Sequence, residues 1–161
     1  MLGNSDGTFQ VTINDSCFTG MQDVVLADFN NDTKTDAVVI GSTSNILMGD
    51  GTGHLIVQGS FNQGFFIGGE YFAVAGKFNS DNNYDLAIAS NNSDSIAVLL
   101  GNGDFTFAAP VKYGVGDGPK NIEAYDMNGD TRLDLLVPND LSNTVSILLG
   151  NANGTFQSPQ N

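Results

Sequence analysis

The sequence has little cysteine, histidine or basic charge. Its 161 residues include one cysteine, one histidine and five lysines and arginines, against 18 aspartates and glutamates. The lone Cys17 cannot form a disulfide within the chain. A formal net charge of −13 excludes the basic surface with which proteins bind nucleic acids or anionic membranes. We therefore expect no nucleic-acid partner.

Long apolar runs are also absent. No stretch stays apolar for the roughly 20 residues that a membrane-spanning helix needs, so we expect no membrane insertion. The N-terminus lacks the basic and then apolar pattern of a signal peptide. Residues 2–9 instead resemble residues 149–156, which indicates that the chain begins inside a repeating architecture. With 40% hydrophobic residues it can still bury a core.

An acidic loop of nine residues occurs three times. We call residues 28–36 loop 1, residues 77–85 loop 2 and residues 126–134 loop 3; their first residues lie 49 positions apart. Gly20, Gly69 and Gly118 are also 49 residues apart, so the repeat extends upstream of the loops. A period of this length indicates a solenoid, a propeller or another array of repeats.

Loop 3 has the composition of a cation site. Side chains with oxygen atoms occupy loop positions one, three, five and nine, namely Asp126, Asn128, Asp130 and Asp134. Arg132 at position seven would contribute its backbone carbonyl. Calcium fits best, because it accepts many oxygen ligands in flexible geometry. A single such loop could be an ordinary turn, but turn chemistry does not require aspartate at positions five and nine in every copy.

An EF-hand is the competing calcium motif. Its twelfth position should hold a bidentate glutamate, whereas this chain has Val39 and Val137 there, beside predicted strands rather than helices.

Loop 2 departs from the pattern at its first position, where Lys77 replaces aspartate. The formal charge of positions one, three, five and nine is then −1, against −3 in the other two loops. We expect a weak or vacant site, formed by Asn79, Asp81, Asn83 and Asp85. The Lys77 ammonium is expected near Asp81 and Asp85, in place of the ion.

Position six of the loops, which often needs a positive φ, holds Thr33, Asn82 and Thr131. A β-branched residue resists positive φ, so these loops are expected to turn differently or to bind calcium less tightly.

Short apolar segments flank each loop and predict strands. Around loop 1 they cover residues 24–27, 37–40, 45–48 and 55–57, with a glycine turn at 49–53. Residues 9–13 alternate between apolar and polar side chains, which predicts another strand. The fourth strand of the second unit is expected over 105–111. No window has helical periodicity. The chain is thus predicted to be all-β, a β-propeller-type array of four-stranded antiparallel blades.

The period divides the chain as a single repeat array. Residues 1–19 are expected to end a preceding blade, followed by blade 1 (20–68), blade 2 (69–117) and blade 3 (118–161). About three blades cannot close a ring, since closed propellers have roughly four to eight. An open arc or a fragment is expected, with self-association through the open blade ends as a secondary expectation.

Residues 76–90 and 96–107 together resemble an FG-GAP or VCBS repeat, the unit of integrin-alpha-type β-propellers. The resemblance extends over nearly the whole chain, and its most specific part is the aspartate loop followed by an apolar strand and Leu-Leu-Gly-Asn. It implies four-stranded blades with calcium between the first two strands. The implied calcium ligands are Asp28, Asn30, Asp32, Lys34 (carbonyl) and Asp36 in loop 1, and Asp126, Asn128, Asp130, Arg132 (carbonyl) and Asp134 in loop 3.

Residues suited to catalysis are few. His54 lies beside a glycine turn, and Glu70 and Glu123 are the only glutamates. A two-carboxylate glycosidase stays open, because such pairs assemble in space, but the repeat already accounts for most aspartates. We expect no enzymatic activity. The phenylalanines after the glycine turns, Phe9, Phe105, Phe107 and Phe156, are expected to pack between blades.

The resemblance implies a calcium-stabilised module for protein binding or cell adhesion, outside the cell or at its surface. A carbohydrate-binding propeller is one alternative. An accessory, substrate-docking part of a secreted hydrolase or lyase is another. The sequence names no protein or glycan ligand.

Overall fold

The structure, a computed structural model, describes residues 20–64 and 69–160. These residues form one short 3₁₀ helix, Asn91–Ser93, and eleven strands. The strands are β1 (Met21–Ala27), β2 (Asp36–Gly41), β3 (Ser44–Gly49), β4 (Leu55–Phe61), β5 (Tyr71–Gly76), β6 (Asp85–Ser90), β7 (Ser95–Leu99), β8 (Val111–Gly114), β9 (Glu123–Tyr125), β10 (Asp134–Asn139) and β11 (Thr144–Leu148).

The strands form three antiparallel sheets in chain order, which we call units 1, 2 and 3. Unit 1 has the order β1-β2-β3-β4, unit 2 the order β5-β6-β7-β8, and unit 3 the order β9-β10-β11. In unit 3 the chain returns beside β11 through isolated bridges, Gly150 with Phe156 and Ile147 with Gln160. Each of loops 1, 2 and 3 joins the first two strands of its unit. The predicted all-β class is therefore confirmed.

The second strand of each unit is its most buried element. All six residues of β2 and of β6 are buried. After its first aspartate each strand has four consecutive apolar residues, 37–40 in β2 and 86–89 in β6, as expected for a strand covered on both faces. The fourth strand, β4, is exposed along most of its length and forms an edge of its sheet.

Neighbouring units share hydrophobic cores. Side chains of units 1 and 2 form one cluster, around Phe29, Ile40 and Leu86, and those of units 2 and 3 form another, around Phe78 and Leu135. Polar contacts add to the first junction: the Gln22 side chain binds the backbone of Gly69 and Tyr71, and Asp23 accepts a bond from the Ala73 amide. Each unit thus buries its sheet against the next.

The residue at loop position two inserts into the following unit. Phe29 meets Tyr84 and Phe107 edge-on, with ring centroids 6.3 and 6.0 Å apart. Phe78 meets Phe156 in the same way at 5.4 Å. Such edge-to-face pairs each contribute about 0.5–1.5 kcal/mol beyond their buried area.

Most predicted strands within the described residues occur where the sequence placed them, but two expectations fail: unit 3 has three strands instead of the four expected of a blade, and one strand of unit 2 begins later than expected. The strand expected over 105–111 begins only at Val111, because residues 101–107 form a turn closed by a single Gly101–Phe107 bridge. The strand expected over 9–13, the blade end assigned to 1–19 and Phe9 lie outside the described residues. The inter-unit packing predicted for Phe105, Phe107 and Phe156 is confirmed.

Replacing Phe78 by alanine is expected to destabilise the chain by about 3–5 kcal/mol, because the ring is 4% exposed and the neighbours cannot fill the space. Urea unfolding monitored by circular dichroism measures this loss. Tyr125→Ala is the control, since that ring is 68% exposed. Equal losses in both variants would contradict the assigned packing role of Phe78.

Candidate metal centre

Loop 1 turns its first side chains inward. Asp28 Oδ1 accepts the backbone N–H of Asp32 at 3.0 Å, and Asp28 Oδ2 accepts that of Thr33 at 2.8 Å. The Asn30 side-chain oxygen accepts the same Asp32 N–H at 3.0 Å. Two oxygen atoms, from positions one and three, therefore converge on one amide.

Loop 3 repeats this arrangement. Asp126 Oδ1 accepts the N–H groups of Gly129 and Asp130, and Asp126 Oδ2 accepts that of Thr131 at 2.8 Å. Asn128 Oδ1 accepts the Asp130 N–H at 2.9 Å. The hydrogen bond from Thr131 is the main cause of a lowered pKa at Asp126, so this carboxylate stays ionised below its usual range.

The carboxylate at loop position five pairs with the positively charged side chain at position seven. Asp32 Oδ1 accepts the Lys34 N–H at 2.9 Å, which lowers the Asp32 pKa, and its other oxygen lies 3.9 Å from the Lys34 ammonium. In loop 3, Asp130 pairs with the Arg132 guanidinium, and Arg132 Nε also donates to the Gly150 carbonyl at 2.9 Å. The side chains at position seven thus compete with a metal ion for the position-five carboxylate.

The aspartate at position nine is fully buried in all three loops. Each carboxylate accepts two backbone N–H groups: Asp36 from Phe29 and Gly49, Asp85 from Phe78 and Gly101, and Asp134 from Met127 and Gly150. We call this arrangement the aspartate staple, since it ties the loop to the end of the third strand. Sequence reasoning treated these residues as ligands alone and missed it. The available signal was that position nine keeps aspartate even in loop 2, where position one is lysine.

Lack of space explains why the residue at the far end of each staple is glycine. A Cβ atom on Gly49, Gly101 or Gly150 would lie 2.0 to 2.2 Å from the backbone carbonyl of the residue before the stapled aspartate. Any side chain there would push the two backbones apart and break the staple.

In loop 2, the side-chain amide groups of asparagines make contacts that charged side chains make in loops 1 and 3. Asn79 Nδ2 donates to Asp81 at 2.9 Å, Asn83 Nδ2 donates to the Gly101 carbonyl at 3.2 Å, and Asn83 Oδ1 accepts from Asn31 of loop 1. Burial raises the pKa of Asp85, the position-nine residue of this loop, and its two amide bonds offset that effect only in part. Asp85 therefore favours folding most at low pH and contributes less as pH rises through its folded pKa.

Lys77 lies elsewhere than expected. Its ammonium sits over the Tyr84 ring, 5.0 Å from the centroid, a cation–π contact, rather than between Asp81 and Asp85. The Asp85 carboxylate is buried and already bound to two backbone amides, so Asp85 offers the lysine no exposed acceptor.

Position six takes a left-handed conformation in every loop. The φ angles are 70° for Thr33, 69° for Asn82 and 70° for Thr131. Of the two outcomes expected for threonine at this position, a different turn is excluded, and a reduced calcium affinity stays a prediction. In these loops the position-one aspartate accepts the threonine N–H, and that charge-assisted bond offsets the strain. Loop 2 lacks the aspartate and has asparagine, which tolerates this conformation better.

The donors of loops 1 and 3 suit a hard cation, because all of them are oxygen atoms. Each carboxylate has lone pairs beyond those used by the amides, so a bound cation could share them. Within residues 20–64 and 69–160, no three histidine, cysteine, aspartate or glutamate side chains are grouped closely enough to hold a metal without rearrangement. The ligand assignments for both loops stay predictions.

A comparison with known protein families identifies the repeat that contains loops 2 and 3. Residues 77–137 match the family model described as FG-GAP-like repeat. This segment is an FG-GAP-like repeat. It runs from the first residue of loop 2 through the last three strands of unit 2, β9 and loop 3 into β10, and so spans slightly more than one 49-residue period. The resemblance inferred from the sequence is confirmed for this segment. No curated protein matches the chain.

Unit 1, which precedes the matched FG-GAP-like repeat, repeats its staple and its strand order one period earlier. Among the described residues, no helix is long and apolar enough to cross a membrane.

Replacing Asp134 by asparagine is expected to destabilise the FG-GAP-like repeat by about 1–3 kcal/mol in the presence of a chelator. One of the two N–H groups that its carboxylate accepts would face an NH₂ group instead of an oxygen atom. Urea unfolding measures the loss, and Asp85→Asn should show a similar one. The control is Asp81→Asn, an exposed position. A loss at Asp134 that appears only with calcium would contradict the staple and favour a ligand role alone.

Replacing Thr131 by asparagine is expected to stabilise the chain by up to about 1 kcal/mol, because left-handed backbone costs a branched residue about 1–2 kcal/mol. Thermal unfolding in chelator measures the gain. Thr131→Val keeps the branched Cβ and removes the hydroxyl, so it should give none. If the two variants are equally stable, backbone strain at position six is negligible.

Proposed function

We propose that the chain is a calcium-stabilised, β-propeller-type repeat module that binds a ligand without catalysis. The observation that carries the proposal is the pair of matching loops, 1 and 3, in which oxygen atoms of positions one and three converge on one amide. The FG-GAP-like match supports a propeller-type arrangement of the units. Their face-to-face packing through two shared cores also supports it.

Calcium would act on the hairpin between the first two strands of units 1 and 3. Its ligands would come from Asp28, Asn30, Asp32, the Lys34 carbonyl and Asp36, and from Asp126, Asn128, Asp130, the Arg132 carbonyl and Asp134. The ion would offset repulsion among carboxylates in a chain of net charge −13. Loop 2, with Lys77 engaged on Tyr84, would bind weakly or not at all.

The proposed setting is outside the cell, where millimolar calcium fills weak sites. Adhesion or protein recognition is the proposed role. Support for a non-catalytic role comes from the acidic residues, since the described loop aspartates bind backbone amides rather than lining a common pocket. Carbohydrate binding is a second candidate, favoured by a cleft of about 320 Å³ that Ile46, Gln58 and Thr106 help to line. A docking part of a secreted hydrolase or lyase is the candidate from a different class.

Self-association through the end units is proposed only as a secondary property. Val24 and Leu26 of unit 1 and Tyr125 and Val145 of unit 3 are exposed apolar side chains of the two outer units. Tyr125 holds the position that Gly76 has in unit 2, where a Cβ atom would clash with Phe78 and Leu133.

The proposal is tested by calorimetric titration of calcium into chelator-treated protein, with thermal unfolding of both forms. Two ions should bind, and the melting temperature should rise, since a site filled at 100 times its Kd adds about 2.7 kcal/mol. Asp32→Ala combined with Asp130→Ala should abolish both effects. Asp81→Ala, the same change at position five of loop 2, should leave both unchanged.

Absence of binding at millimolar calcium would overturn the calcium role and remove the main support for the extracellular setting. Binding that persists in the Asp32→Ala, Asp130→Ala variant would place the ion elsewhere in the chain.

A further inference from the structure

The turn that follows the third strand of unit 2 contacts unit 1. We call residues 101–107 the junction turn. The Phe105 N–H donates to the Phe29 carbonyl of unit 1 at 3.4 Å, and the Phe107 ring meets the Phe29 ring edge-on with centroids 6.0 Å apart. A change in the backbone of the junction turn would therefore reach unit 1.

The junction turn contains an Asn-Gly step, the dipeptide in which asparagine deamidates most readily. Glycine has no Cβ atom to shield its backbone nitrogen, so this nitrogen can attack the side-chain amide carbon of the preceding asparagine. The reaction requires that the glycine N–H and the asparagine side chain are not held by other partners. The sequence has three such steps, namely Asn102-Gly103, Asn128-Gly129 and Asn153-Gly154.

The step in loop 3 is held on both sides. The Gly129 N–H donates to the Asp126 carboxylate at 2.8 Å, and Asn128 Oδ1 accepts the Asp130 N–H at 2.9 Å. A hydrogen bond to a carboxylate is stronger than one between neutral groups, and here it must break before the glycine nitrogen can attack. We therefore expect Asn128 to be protected in the folded chain.

The step in unit 3 is held in a similar way. The Gly154 N–H donates to the Asn151 carbonyl at 3.1 Å, and Asn153 Oδ1 accepts both the N–H and the hydroxyl of Thr155. Gly154 is also buried. Both groups that would react are thus engaged, and we expect Asn153 to be protected as well.

The step in the junction turn has neither restraint. Asn102 is exposed, and its side chain makes one hydrogen bond, from Nδ2 to the Thr106 hydroxyl at 2.8 Å. Among the described residues, none accepts a hydrogen bond from the Gly103 N–H and none donates to Asn102 Oδ1. The nucleophile and the amide carbon are therefore both available in the folded chain.

We propose that Asn102 deamidates in the folded chain and that the isoaspartate formed loosens the junction of units 1 and 2. The Gly103 nitrogen attacks Asn102 Cγ and forms a C–N bond. The side-chain nitrogen leaves as ammonia, which takes up the proton that the Gly103 nitrogen loses, and a succinimide ring remains. Water then opens the ring at either carbonyl and gives aspartate or isoaspartate. The reaction needs no enzyme and no co-reactant except water.

Isoaspartate would disturb the junction turn because it inserts a methylene group into the backbone. Gly103 lies against the side chains of Asn31 and Asn83, where even a Cβ atom would clash, and these two side chains are hydrogen-bonded to each other between loops 1 and 2. The Phe105 N–H, two residues further on, would move away from its acceptor in unit 1. Ordinary aspartate should be tolerated, since unit 1 has Asp50 at the corresponding position of its turn.

The test is peptide mass spectrometry of the full chain after incubation in chelator at neutral and mildly alkaline pH, with and without urea. Deamidation raises the mass of a peptide by about 1 Da, and electron-transfer fragmentation distinguishes isoaspartate from aspartate. In the native chain Asn102 should react about ten-fold faster than Asn128 or more, because a charge-assisted hydrogen bond protects Asn128. It should also react faster than Asn153. In urea the three steps should react at similar rates, since the protecting bonds are lost.

Asn151 is an internal control. It makes the same bonds as Asn102, from its N–H to the Thr155 carbonyl and from its Nδ2 to the Thr155 hydroxyl, but Ala152 follows it. It should react little with or without urea. Freshly purified Asn102→Asp supplies the ordinary aspartate product. It should melt at the temperature of the unmodified chain, whereas the chain with isoaspartate at position 102 should melt at a lower temperature.

The inference is overturned if Asn102 reacts no faster than Asn128 and Asn153 in the native chain. It is also overturned if the chain with isoaspartate at position 102 is as stable as Asn102→Asp. Both measurements are made in chelator, so their failure leaves the calcium role intact, and a failure to bind calcium leaves this inference intact.

Discussion

A buried carboxylate that accepts two backbone N–H groups is the interaction on which each unit depends. Position nine of the loop is where the second strand begins, and its side chain reaches both the loop entrance and the glycine after the third strand. One residue thereby holds in place the hairpin of the first and second strands and the hairpin of the second and third strands. It also fixes the position of the loop that joins the first two strands. The surrounding apolar strands can then pack as a continuous layer, because the polar ends of the unit are already satisfied.

The three loops show how the same frame tolerates different chemistry. Where position one is aspartate, its two oxygens hold a strained threonine at position six and leave a cluster of oxygen atoms facing one amide. Where position one is Lys77, the ammonium turns to an aromatic ring and asparagine amides fill the loop. The staple is the same in both cases, so the frame does not require the oxygen cluster. Under the proposed function, what the cluster adds is the capacity to bind a cation.

Much of this arrangement was accessible from the sequence. The 49-residue step fixed the number of units, and the apolar runs after Asp36, Asp85 and Asp134 located the most buried strands. The role of those aspartates was not accessible, because a ligand and a buried hydrogen-bond acceptor require the same residue at the same position. The left-handed threonines were misjudged because intrinsic backbone preference was weighed without the carboxylate that accepts their amides. Phe105 could have been noticed as the odd residue among three turns, but the sequence does not show that it takes the same left-handed conformation as the two glycines.

Within the described residues, the middle unit shares a core with both of its neighbours, whereas units 1 and 3 each share one with unit 2. Its loop also has the smallest formal charge at positions one, three, five and nine, −1 against −3 in loops 1 and 3. If loops 1 and 3 bind calcium as proposed, the unit that contributes to both cores is the one whose loop does not depend on the ion. Removal of calcium would then be expected to loosen units 1 and 3 before unit 2.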